Sequence, residues 1–130
     1  MNKAVISLGS NLDPEKYIDQ ARRSIANHFE ILKESRFLLT EPVGKGITRL
    51  FLNGSILVGT KMELESFKRS LKSIEKDIQQ EAGSTGVKER VIDLDLTVWN
   101  ATIIDQDYHT RSYIKEAIQE LLPKTEVQLS

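Results

Sequence analysis

Cysteine is absent from this chain of 130 residues, which excludes disulfides, thiolate nucleophiles and cysteine-type zinc sites and permits a reducing compartment. Neither sign of charge dominates. Eighteen Lys and Arg stand against nineteen Asp and Glu, a formal net charge of -1 and a pI near 6.1, so there is no general electrostatic footprint for nucleic acid. No basic cluster stands out either, and no repeat or low-complexity segment breaks the chain. Long hydrophobic runs are missing as well. The start, Met1-Asn-Lys-Ala-Val-Ile-Ser7, enters only a short apolar run before Gly9-Ser-Asn11, without the length or cleavage site of a signal peptide, and no segment approaches a membrane span. These absences predict a cytoplasmic protein without membrane or nucleic-acid partners. A monomer is expected. With 39% hydrophobic and 28% charged residues, residues 1–130 fit a single globular domain of ordinary composition.

What the chain does contain is a pair of carboxylates in an apolar run, Arg90-Val-Ile-Asp93-Leu-Asp95-Leu-Thr-Val-Trp99. In a strand, Ile92, Leu94, Leu96 and Val98 would face a core while Asp93 and Asp95 share the opposite face, flanked there by Val91 and Trp99. At a rise of about 3.3 Å per residue, the two Cα atoms would lie roughly 6.5 to 7 Å apart, close enough for the carboxylates to hold one ion or bridge two. Hard oxygen ligands without cysteine suit magnesium, which usually arrives with a substrate phosphate. Arg90 adds a bidentate donor suited to phosphate. The plainer alternative is a solvated D-x-D on a half-exposed strand with Arg90 in an ion-pair cluster.

Periodicity fixes the expected order of elements. Ala4 to Leu8 reads as a strand, stopped by Gly9-Ser-Asn11-Leu-Asp13-Pro14, where Asp13 can cap a helix whose first turn accepts Pro14. Tyr17, Ile18, Ala21, Ile25 and Phe29 then form one helical face. Ile31 to Leu39 is a candidate strand, Thr40 to Gly46 a shaped loop, and Phe51-Leu-Asn53 the entry to a strand reaching about Thr60. Leu64, Phe67, Leu71, Ile74 and Ile78 mark a second helix ending near Gly83. After the acid strand, a terminal helix from about Ser112 buries Tyr113, Ala117, Ile118 and Leu121. The expected fold is α+β, a ferredoxin-like βαββαβ sandwich with an additional C-terminal helix, two helices on one face of the sheet and the other face open for ligands.

Four separated segments carry a resemblance: Ser7-Leu-Gly9-Ser-Asn11-Leu, Thr40-Glu-Pro42-Val-Gly44, Phe51-Leu-Asn53 and Arg90-Val-Ile-Asp93-Leu-Asp95-Leu. In this order they resemble the 6-hydroxymethyl-7,8-dihydropterin pyrophosphokinase family of folate biosynthesis. The resemblance implies transfer of pyrophosphate from ATP to the hydroxymethyl oxygen of a reduced pterin, with release of AMP. Asp93 and Asp95 would then hold two Mg2+ ions, and Arg90 would bind phosphate. Glu75, His109 and Lys115 would join Arg90 around ATP, while Thr40, Pro42, Val43, Phe51 and Asn53 would hold the pterin. His28 has no such support and Asp105-Gln-Asp107 lacks the apolar strand setting, so both read as structural or solvated.

The sequence also departs from the family's pattern. The stretch Gln79-Gln-Glu-Ala-Gly83-Ser-Thr-Gly-Val87-Lys-Glu lacks the arginines and the tryptophan that members carry there, and Lys88 stands between opposing charges at Glu81 and Glu89. His109 is followed by Thr110 instead of proline. Ala117 falls where a second pterin-stacking aromatic is expected, leaving Tyr108 or Tyr113 to supply the ring. A catalytically weak or inactive paralogue, binding a pterin or nucleotide or serving as an interaction module, is therefore the second expectation.

Overall fold

A computed structural model describes residues 1–41, 50–83, 91–104, 112–122 and 128–129. The expected loop positions Pro42 and Val43, and Lys88, Glu89, Arg90, Asp105 to Asp107, Tyr108 and His109, lie outside the described residues. Strand β1 (Asn2–Ser10) leads into helix α1 (Pro14–His28), followed by β2 (Glu30–Glu34), β3 (Leu38–Thr40) and β4 (Phe51–Thr60). Helix α2 (Leu64–Ala82), β5 (Asp93–Trp99), β6 (Thr102–Ile103), helix α3 (Ser112–Leu121) and β7 (Gln128–Leu129) complete the order. The result is a mixed α+β protein with three helices among the described residues. Its sheet runs β2-β4-β1-β5-β6-β7, with β3 also paired to β4. Every pairing in it is antiparallel except β6 with β7.

Alternation along the strands separates two apolar cores. Ala4, Ile6 and Leu8 of β1, with Ile56 and Val58 of β4 and Leu94 of β5, meet the apolar stripes of α1 and α2 on one face. The intervening Val5, Leu57 and Val98 turn to the other face and pack with Ile103, Ile114, Ile118 and Leu121. Helix α3 thus covers part of the face expected to be open. Only the remainder of that face can receive a ligand.

Three local expectations are corrected. Asp13 precedes α1 in the left-handed region, at φ 46°, and its side chain makes no capping hydrogen bond; the start rests on its backbone carbonyl, which accepts from the Tyr17 amide at 3.2 Å, and on Pro14. The strand expected over Ile31 to Leu39 is divided into β2 and β3. Between them, buried Ser35 replaces part of the ladder: its amide donates to the Ser55 carbonyl at 2.9 Å, and its hydroxyl accepts from the Ser55 amide at 2.9 Å.

The third correction concerns β5. Val5 pairs with Val98 but Ile6 with Leu96, so Thr97 is an extra residue in a bulge, and its hydroxyl donates to the Val5 carbonyl at 3.0 Å. Past the bulge the alternation inverts. Val98 therefore leaves the core of Leu94 and Leu96, whereas Trp99 joins it, 5.4 Å from the Phe67 ring. Val91 is likewise buried in the helix-side core and does not flank the acids.

Phe37, just before β3, packs against Gly54 of β4 tightly enough to test. A Cβ on Gly54 would lie 2.5 Å from ring carbons of Phe37, which cannot yield as a flexible chain end would. Gly54→Ala is expected to cost about 1–3 kcal/mol in urea unfolding, as overpacking does.

Candidate active site

Among the described residues, the part of the α3-side face that α3 does not cover is a small polar floor. Register sets Asn53 of β4 beside Gly9 of β1, and Gly9 beside Asp93 of β5. One pair further along, Ser55 stands beside Ser7 and Ser7 beside Asp95. Successive strands are about 4.8 Å apart, so Asn53 and Asp93 face a ligand from positions roughly 10 Å apart. The next row, Leu57, Val5 and Val98, is apolar and belongs to the core with α3. That change from polar to apolar is the floor's lower boundary.

Gly9 keeps the centre of the floor low. A Cβ there would come within 2.7 Å of the Asn53 Oδ1 and 3.8 Å of the Phe51 ring. The Asn53 Nδ2 donates to the Thr40 hydroxyl, which fixes the amide at the end of β3. Phe51, paired with Thr40 across the ladder, is half-buried and belongs to neither apolar core. Thr40, Phe51 and Asn53 are therefore brought together around Gly9. Behind them the Ser7 and Ser55 hydroxyls are 3.2 Å apart and share a hydrogen bond.

Asp93 and Asp95 stand on the other side of Gly9, both partly exposed, with the Asp95 side chain at 47%. No group of three or more His, Cys, Asp or Glu able to hold a metal occurs among the described residues. Two carboxylates on one strand face still fit magnesium, because that ion retains waters and draws further oxygens from a substrate phosphate. The chemistry of the donor set, hard oxygen throughout, agrees.

Beside the acids, the outer edge of β5 is held by side chains of α2. Glu75 accepts from the Leu94 amide at 2.7 Å, and Gln79 donates its amide to the Ile92 carbonyl at 3.1 Å. Lys72 donates to the Leu94 carbonyl at 3.2 Å and lies 3.6 Å from Asp95 Oδ1 and 3.6 Å from Glu75 Oε1. Glu75, the nucleotide candidate on this helix, thus already anchors the acid strand. Sequence reasoning did not single out Lys72 or Gln79. Their signal is the polar stripe at 72, 75 and 79, spaced to share one helix face. Lys115 is on the exposed side of α3, and Ala117 is buried there.

Paired acids, an amide and an aromatic therefore share one face of the α+β sheet. The chain belongs to the 7,8-dihydro-6-hydroxymethylpterin-pyrophosphokinase family, whose model matches residues 5–123. This is a family of transferases that act in folate biosynthesis. No curated protein matches the chain. Among the described residues, no helix is long and apolar enough to cross a membrane.

Proposed function

We propose that this chain is a working pyrophosphokinase, which transfers the terminal pyrophosphoryl group of ATP to the hydroxymethyl oxygen of 6-hydroxymethyl-7,8-dihydropterin and releases AMP. One observation carries the reading: Thr40, Phe51 and Asn53 share a polar floor with Asp93 and Asp95 across Gly9. The pterin would lie on the Asn53 side, its amide edge on Asn53 and its ring against Phe51, with Thr40, Pro42 and Val43 assigned to the same ligand by the resemblance. The acids would then meet its hydroxymethyl group and the ATP phosphates together. Two bound Mg2+ ions would supply charge neutralisation and lower the cost of deprotonating the hydroxyl.

The chain's own residues provide the rest. Asp93 and Asp95 orient the reacting groups on a strand whose edge is fixed by Glu75 and Gln79, which limits the motion that would misalign an in-line attack. Glu75, Arg90, His109 and Lys115 are assigned to the nucleotide by the family resemblance. The order β2-β4-β1-β5, with α1 and α2 on one face, supports a ferredoxin-like core in one domain over residues 1–130. A cytoplasmic monomer is the simplest form consistent with this role.

The stretch from Gln79 to Glu89 lacks the arginines that the family resemblance implies there, which favours a second reading, a paralogue that binds these ligands without turning them over. Purified protein with magnesium, ATP and the hydroxymethyl pterin distinguishes the two. Pterin-dependent AMP and pterin pyrophosphate are expected in equal amounts. Ligand binding by folded protein with no AMP formation would establish the paralogue.

A further inference from the structure

The Lys72 ammonium is gathered against three acceptors from two elements. It bonds the Leu94 carbonyl at 3.2 Å while lying 3.6 Å from each of the Glu75 and Asp95 carboxylates. Glu75 is itself pinned to the Leu94 amide at 2.7 Å. This arrangement directs one positive charge at an oxygen of the acid pair from the edge of β5 that faces away from β1. The lysine side chain remains 59% exposed, so the ammonium can leave toward solvent.

We propose that Lys72 is a built-in monocation that shares Asp95 with the divalent ion, so that metal loading requires the ammonium to be displaced. The inference rests on Asp93 and Asp95 being metal ligands, but not on turnover. Without metal, Lys72 relieves the repulsion between the acids. When a dication arrives, the two cations compete for one carboxylate. At about 4 Å in a water-like dielectric their repulsion corresponds to roughly a thirtyfold loss of metal affinity, and the freedom of an exposed lysine to withdraw reduces it to about three- to tenfold. Lys72 would thereby set the metal concentration at which the site fills.

Titration of the full chain with Mn2+ alone, with free ion followed by electron paramagnetic resonance, tests this directly. Lys72→Met keeps the apolar stem and is expected to tighten Mn2+ binding about three- to tenfold. Lys72→Arg, which keeps the charge, should remain within about twofold of the parent. In an Asp95→Asn background the same Lys72→Met change should have no effect, as a double-mutant cycle requires of a direct interaction. Unchanged or weaker Mn2+ binding by Lys72→Met, or equal tightening in the Asp95→Asn background, would overturn the proposal. Circular dichroism on each variant confirms the fold. Tightening without AMP formation would sustain the role of Lys72 and reject the kinase; AMP formation without tightening would do the reverse.

Discussion

Asp95→Asn is expected to lower pterin-dependent AMP formation by about three orders of magnitude, close to 4 kcal/mol of transition-state stabilisation, while leaving the protein folded. The amide keeps the side chain's size but loses the charge that would hold a dication against the phosphates. Its structural cost is small. Asp95 is partly exposed, and its contact with Lys72 is a solvent-screened pair worth at most about 1 kcal/mol. The proposed pterin contacts, Thr40, Phe51 and Asn53, lie across Gly9, so pterin affinity without nucleotide should change by less than about threefold. A rate assay beside fluorescence titration with the pterin separates the two effects. Activity within about tenfold of the parent would show that Asp95 does not carry the metal. Loss of pterin affinity to the same extent as rate would point instead to collapse of the floor.

The acid pair was legible in the sequence because a two-residue period is hard to disguise. Asp93 and Asp95 among Ile92, Leu94 and Leu96 admit one facial assignment, and register with Gly9 and Ser7 places them accordingly. The spacing of Phe67, Leu71, Ile74 and Ile78 likewise marked α2, whose core face they form. Thr97 was not legible as a bulge. Thr97, Val98 and Trp99 all favour strands, so composition gives no sign that one residue is extra, and only pairing with Val5 reveals it. The division at Ser35 is similar. A serine hydroxyl can take the place of a ladder partner, but the partner, Ser55, is 20 residues away. The side of the sheet taken by α3 is a tertiary choice as well, made where Val5, Leu57 and Val98 provide an apolar surface. For the site, motif resemblance singled out Thr40, Phe51 and Asn53, and strand pairing joins them. Lys72 escaped notice because an exposed helical lysine has no sequence mark of what stands opposite it.

The bulge gives the second large effect its physical basis. Phe67 is fully buried on α2, with its ring 4.7 Å from that of Phe29 and 5.4 Å from that of Trp99. Trp99 reaches this cluster because Thr97 inverts the end of β5, so Phe67 joins the C-terminal boundary of α1 to the far end of the acid strand through one aromatic column. Removing its ring forfeits the transfer energy of a large apolar group and leaves a cavity between neighbours that are held by the sheet and by α1. Phe67→Ala should therefore destabilise the protein by about 3–5 kcal/mol, enough to consume much of the stability of a domain of this size. Trp99 is the chain's single tryptophan, so urea unfolding followed by its fluorescence reports from the edge of the new cavity. A lower midpoint with an unchanged slope is the expected result. A loss below about 1 kcal/mol would mean that α2 and β5 can close over the space, and that the aromatic column does not fix the end of the strand that carries the acids.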